Sequence, residues 1–133
     1  MTQAPEKSDL TVLVVDDDEI NLNIAQELLA QIGIDKVHIA LDGLQGLKTL
    51  RSLGSVDVIV VDVYMPGMDG IEFISELAAM RFAGKVIMVS GVNIETLALA
   101  RQIAQGSGIQ VIATFEKPLR KDDMAHAMGL TTA

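Results

Sequence analysis

The chain has no cysteine and no tryptophan, and only one tyrosine and three phenylalanines among its 133 residues. Without thiols there is no disulfide and no thiolate zinc site. With aromatics at 3%, the core has to be built from Val, Ile, Leu, Ala and Met. That composition suits helices packed on a parallel sheet buried on both faces. No run of Lys and Arg interrupts a formal charge of −8, which argues against nucleic acid as a direct partner, because binding a phosphate backbone needs clustered positive charge. Apolar runs such as Val12–Val15 are far shorter than the about 20 residues that span a bilayer. The polar first residues, with Pro5, Glu6 and Asp9, lack the apolar stretch of a secretory signal. These absences predict a cytoplasmic protein with no membrane partner, comprising a disordered lead-in at residues 1–9 and one folded domain over 10–130.

What is present alternates in period. Leu10–Val15 is a continuous apolar run that stops at Asp16-Asp17-Asp18, the pattern of a buried strand ending in an acidic loop. From Glu19, Ile20, Ile24, Leu28 and Ile32 recur every four residues, which predicts a helix buried along that stripe and stopped by Gly33. Val37–Leu41 reads as a second strand, and Asp42-Gly43 opens a second helix carrying Leu44, Leu47 and Leu50 to about Gly54. Val56–Val61 is a third strand, again finishing on a carboxylate, Asp62. A turn-rich loop over Tyr64–Gly70 precedes a third helix with Ile71, Ile74, Leu77 and Ala78 on one stripe. Lys85–Val89 is a fourth strand ending at Ser90-Gly91, Asn93 is the expected cap of a fourth helix to about Gln105, Ile109–Phe115 a fifth strand, and a short helix runs from Arg120 to Met128. Five strands alternating with five helices predict an α/β fold: a doubly wound parallel sheet with right-handed crossovers.

The unusual polar residues fall at strand ends. Asp16 and Asp17 follow the first strand, Asp62 the third, Ser90 the fourth and Lys117 the fifth. Open α/β sheets bind ligands outside the carboxyl ends of their strands, at the point where strand order reverses. If the order is 2-1-3-4-5, the first and third strands are neighbours there, and three carboxylates would converge. So many like charges need compensation. A hard divalent cation such as Mg²⁺ supplies it, and a hydroxyl with an ammonium opposite would hold the oxygens of a phosphoryl group. Together these groups describe a phosphoryl-transfer site with an aspartate nucleophile. Asp18 reads as a helix cap, and His38 and His126 have no partner pattern and read as structural or surface residues.

The segments VLVVDDDEIN (12–21), DVIVVDVYMPGMDG (57–70), VIMVSG (86–91) and FEKPL (115–119) resemble, in order and spacing, the four signature segments of two-component response-regulator receivers of the CheY-like superfamily. The resemblance covers about residues 10–128. It implies a flavodoxin-like five-stranded sheet in the order 2-1-3-4-5. It makes Asp62 the acceptor of a phosphoryl group from a histidine kinase or phosphotransfer protein. It makes Asp17 a direct Mg²⁺ ligand, Asp16 a ligand through bound water, and Asp62 and the backbone carbonyl of Tyr64 the remaining protein ligands. Ser90 and Lys117 would hold the phosphoryl group, and the Lys117–Pro118 peptide would be cis. Output would pass through the face formed by the fourth helix, fifth strand and fifth helix, which carries Arg101, Gln102, Gln105, Arg120 and Lys121, with a phosphorylation-dependent dimer as a further expectation.

Three departures from that family pattern stand out. Thr114 occupies the place, three residues before Lys117, where receivers often carry an aromatic, and Phe115 lies beside it. Tyr64 and Val92, two residues past Asp62 and Ser90, offer little to orient a hydrolytic water, so slow loss of the acyl phosphate is expected. The stretch from Ser90 to Leu119 is long between its fourth helix and fifth strand and is loosely similar to receivers that precede EAL-type phosphodiesterase domains. Two rival functions follow from the same residues. A haloacid-dehalogenase-type phosphatase would use Asp16-Asp17-Asp18 on the first strand, but the further acidic pair it needs is missing. A receiver-like interaction module without phosphorylation would leave the filled acidic, hydroxyl and lysine positions unexplained.

Overall fold

The computed structural model describes residues 8–64, 70–91 and 94–130. In chain order its elements are β1 (Ser8–Val15), α1 (Glu19–Gln31), β2 (Ile34–Ala40), α2 (Gly43–Leu53), β3 (Val58–Asp62), α3 (Gly70–Ala79), β4 (Lys85–Ser90), α4 (Ile94–Gly106), β5 (Gln110–Glu116) and α5 (Lys121–Ala127). The strands form one parallel sheet in the order β2-β1-β3-β4-β5, as the resemblance to receivers implies. The strand begins at Ser8, earlier than Leu10, while residues 1–7 of the expected lead-in lie outside the described residues, as do the loop 65–69, Val92 and the expected cap Asn93.

Side-chain alternation along the central strands sorts the core into two layers. Val12, Val14, Val58, Val60, Ile87 and Val89 face α1 and α5, where they meet Leu22, Leu29 and Met124. Leu13, Val15, Ile59, Val61, Val86 and Met88 face the other side, against Leu47, Phe73, Leu77 and Leu97 of α2, α3 and α4. The register steps by one residue in β5, where Val86 pairs with Val111 but Ile87 with Ala113, the signature of a bulge. Beyond it Phe115 pairs with Val89 and packs toward α1 and α5, while Thr114 pairs with Met88.

Two expected stripes are corrected. In α1 the residues that reach the core are Leu22, Ala25 and Leu29, followed by Ile32 just past the helix, whereas Ile20 is 69% exposed and Ile24 stays partly exposed at the edge of the acidic site. The helix is apolar around much of its circumference, so a four-residue repeat has more than one solution, and the sheet selects the leucine face. In α2, Leu47 and Leu50 are buried but Leu44 is 61% exposed, its place on the core side being taken by Gly43 and Gly46. Phe73, given no weight in the aliphatic core expected, is fully buried in α3.

Helix ends follow local chemistry. Asp18 caps α1 by accepting the Ile20 N–H at 2.8 Å, and Asp42 caps α2 by accepting that of Gln45 at 2.8 Å. After α3, Arg81 N–H donates to Ala78 and Phe82 N–H to Leu77, the paired bonds of a Schellman ending. Arg81 holds the left-handed position of that motif at φ 57°, the one non-glycine among the described residues with positive φ. Such a backbone costs a side-chain-bearing residue about 1–2 kcal/mol.

Candidate functional site

The two central strands, β1 and β3, end side by side, with Val15 opposite Val61. Each then delivers a carboxylate into the same small volume. Asp16 and Asp62 are both only 5% exposed. Asp17 is exposed, yet one carboxylate oxygen from each of Asp16, Asp17 and Asp62 lies within 4.8 Å of the others. An oxygen-only donor set of that size fits a hard divalent cation.

The backbone fixes these side chains. The Asp18 N–H donates to Asp16 Oδ1 at 2.9 Å and the Tyr64 N–H to Asp62 Oδ1 at 2.9 Å. Gly70, first residue of α3, has to be glycine: a Cβ there would stand 2.5 Å from Val63 Cα and 2.8 Å from the Asp62 carbonyl oxygen. The Gly70 N–H donates to the Val63 carbonyl at 3.0 Å, so α3 starts directly against the residue that follows Asp62. The sequence marked Gly70 only as part of a turn, and its close approach depends on the strand partner.

Lys117 closes the site from the end of β5. Its Nζ lies 2.8 Å from Asp16 Oδ2 and 2.9 Å from Asp62 Oδ2. One mostly buried ammonium thus bridges two buried carboxylates, a contact that the expectation of a purely phosphate-facing lysine did not include. The lysine backbone is tied to β4, its N–H donating to the Ser90 carbonyl at 2.9 Å, and the Lys117–Pro118 peptide is cis, as expected. Ser90 is 2% exposed and ends β4 one residue past Val89, the partner of Asp62. On the α1 side a cavity of about 40 Å³ is shared by Asp16, Asp62 and Lys117 with Ile24, Ala25 and Leu119.

Burial sets the electrostatics. It raises the Asp62 carboxyl above its ordinary value, because desolvation outweighs the bonds from Lys117 and Tyr64 that favour the charged form, and Asp16 adds to the rise. Burial would lower the Lys117 ammonium, but the hydrogen bonds to Asp16 and Asp62 exceed that effect, and the group is held above its ordinary value. The result is a more basic carboxylate beside a cation that does not give up its proton.

Comparison with known proteins decides what this arrangement is. The family model described as response regulator receiver domain matches residues 12–128. The chain belongs to that family. Among curated relatives, it is 33% identical over 106 residues to protein-glutamate methylesterase/protein-glutamine glutaminase 5 of Myxococcus xanthus, an alignment covering 79% of this chain and 30% of that one. It is 29% identical over 96 residues to the chemotaxis protein CheY of Treponema pallidum, covering 71% and 67%. A response regulator from Colwellia psychrerythraea superposes with a TM-score of 0.76 at 29% identity, covering 92% of this chain and 97% of that one. The chain spans less than a third of the length of several curated relatives it matches. As a receiver domain it is a signalling module of two-component systems with a phosphoacceptor role; receivers as a class bind Mg²⁺ in an acidic pocket and meet histidine kinases or phosphotransfer proteins. No helix among the described residues is long and apolar enough to cross a membrane.

Proposed function

We propose that residues 10–130 form a receiver in which Asp62 takes a phosphoryl group from a phosphohistidine of a sensor kinase or phosphotransfer protein. The observation that carries this reading is the single ammonium of Lys117 held between the buried carboxylates of Asp16 and Asp62. A carboxylate oxygen of Asp62 attacks phosphorus, the P–N bond to the donor imidazole breaks as the P–O bond forms, and the imidazole leaves with its electron pair. The raised basicity of Asp62 favours attack. Lys117, already charged, is placed to follow the negative charge from the carboxylate onto the phosphoryl oxygens. The Ser90 hydroxyl at the end of β4 is the nearby donor for a further oxygen.

Asp16, Asp17 and Asp62, with the backbone carbonyl of Tyr64, would hold Mg²⁺, which when bound supplies charge neutralisation for the transferring group. The exposed Ile20 and Ile24 of α1, neighbours in sequence to the acidic loop, provide an apolar face for the phosphodonor. Output would use α4, β5 and α5, with Leu99 and Ile103 exposed on α4 among polar neighbours, either through a target protein, a phosphorylation-dependent dimer or an attached domain. The stretch 90–119 favours an EAL-type phosphodiesterase as that domain. The setting is cytoplasmic, where phosphodonor kinases present their histidines. With Thr114 half-buried opposite Met88 and Phe115 turned to the opposite face of the sheet, coupling from Ser90 to α4 proceeds without a swinging aromatic.

Acetyl phosphate with Mg²⁺ should place one acid-stable, base-labile phosphoryl group on the chain, and Asp62→Asn should abolish it. No incorporation into the wild type would favour the interaction-module reading, and turnover of p-nitrophenyl phosphate would favour the phosphatase. The acyl phosphate should decay slowly, because Tyr64 at the second position past Asp62 does little to orient water; a half-life of seconds would contradict this.

A further inference from the structure

At the opposite end of the sheet, below β3 and β4, the α2–β3 and α3–β4 connections enclose a cleft of about 330 Å³. Its apolar surface comes from Leu50, Val56, Met80 and Phe82, and it is also lined by Arg51 and Arg81. Neither guanidinium makes an ion pair with a carboxylate among the described residues. The nearby Asp57 carboxylate is committed elsewhere, accepting the Thr11 N–H at 2.8 Å.

Two further observations say that the cleft is built. Arg81 stands where a helix ending of this type favours glycine, and the other described residues with positive φ are all glycine. A strained backbone kept at a site is a pointer to what its side chain does there. The floor is also tight: a Cβ on Gly84 would lie 2.5 Å from Phe82 Cζ and 2.8 Å from the Val56 carbonyl oxygen, so the ring is pressed into place by bare backbone.

We infer that this cleft is a binding site for a small amphipathic carboxylate, one anionic group joined to a ring or branched hydrocarbon. Guanidinium groups bind carboxylates in bidentate geometry and two arginines line this cleft, while the apolar floor rewards a hydrocarbon portion that an inorganic anion lacks. The volume is at the lower end of small-ligand pockets, which favours a compact metabolite over a protein segment. The site is remote from Asp16, Asp62 and Lys117, which lie at the carboxyl ends of the same strands, so occupancy is independent of the phosphoacceptor reading.

The test is a titration of the full chain with phenylacetate, followed by amide ¹H–¹⁵N shifts, with phenylacetamide, inorganic phosphate and a glutamate-rich peptide as comparison ligands. Phenylacetate should produce saturable shifts at Gly54 and over residues 80–84 but not at Asp62 or Lys117. Phenylacetamide and phosphate should bind at least tenfold more weakly. Arg51→Gln and Arg81→Gly should each weaken phenylacetate at least tenfold, and Arg81→Gly should melt higher than wild type, showing that the loss is not unfolding. Absence of saturable shifts, equal affinity for the amide or for phosphate, binding of the peptide alone, or unchanged affinity in both arginine variants would overturn the inference.

Discussion

The two ends of the one sheet treat charge in opposite ways. At the carboxyl end, Asp16 and Asp62 are nearly sealed from water and share one ammonium. At the amino end, Asp57 stays exposed and does the ordinary work of accepting a backbone N–H, while Arg51 and Arg81 remain in solvent contact with no carboxylate paired to them among the described residues. Strand geometry is the same at both ends. The difference is that burial converts charge into a strong and mutually dependent interaction, whereas exposure leaves each charge worth little to stability. Charge removal should therefore have large, coupled effects at one end and small, independent ones at the other.

Lys117→Met should have the largest effect. It leaves two buried carboxylates facing each other, and removing one partner from a buried pair costs about 3–5 kcal/mol, reduced here to about 2 kcal/mol because the lysine keeps some contact with water. Denaturant unfolding would show the loss, and Mg²⁺ should restore part of it by replacing the missing cation. A variant as stable as wild type in Mg²⁺-free buffer would mean that the buried ammonium does not hold the two carboxylates in place.

Asp62→Asn should act in the other direction. A carboxyl raised on folding binds its proton more tightly in the native state, so its contribution to stability declines as pH rises above the ordinary value of 3.8 and the penalty is complete once pH passes the native value. In Mg²⁺-free buffer the variant should be the more stable protein at neutral pH, and its advantage should shrink as pH falls toward 3.8. An advantage that does not change with pH would mean that burial of the charge is not its cause. The smallest effect is expected at the amino end: Asp57→Ala removes one exposed cap of the Thr11 N–H and should cost about 0.5–1 kcal/mol, with no dependence on Mg²⁺.

Much of this was legible before the structure. Alternating periods gave the element order, and the abrupt change from apolar run to carboxylate after Val15 and Val61 located the site. What was not legible depended on contacts between distant segments. Ile20 and Ile24 are as apolar as Leu22 and Leu29, and only docking on the sheet decides which pair is buried. The ammonium of Lys117 could be placed at the site from its strand end, but its division between Asp16 and Asp62 depends on how far β5 stands from β1 and β3. The requirement for glycine at position 70 arises from the Val63 backbone, and no pattern in the sequence marks Arg81 as the residue that takes a positive φ.

The carboxyl-end cluster serves to direct one phosphoryl group onto one carboxylate, Asp62. The most direct measurement is borohydride trapping after reaction with acetyl phosphate and Mg²⁺, which reduces an aspartyl phosphate to homoserine, followed by peptide mapping. Homoserine is expected at position 62, with Asp16 and Asp17 unchanged. Homoserine at position 16 or 17, or a phosphorylated chain with Asp62 intact, would contradict it.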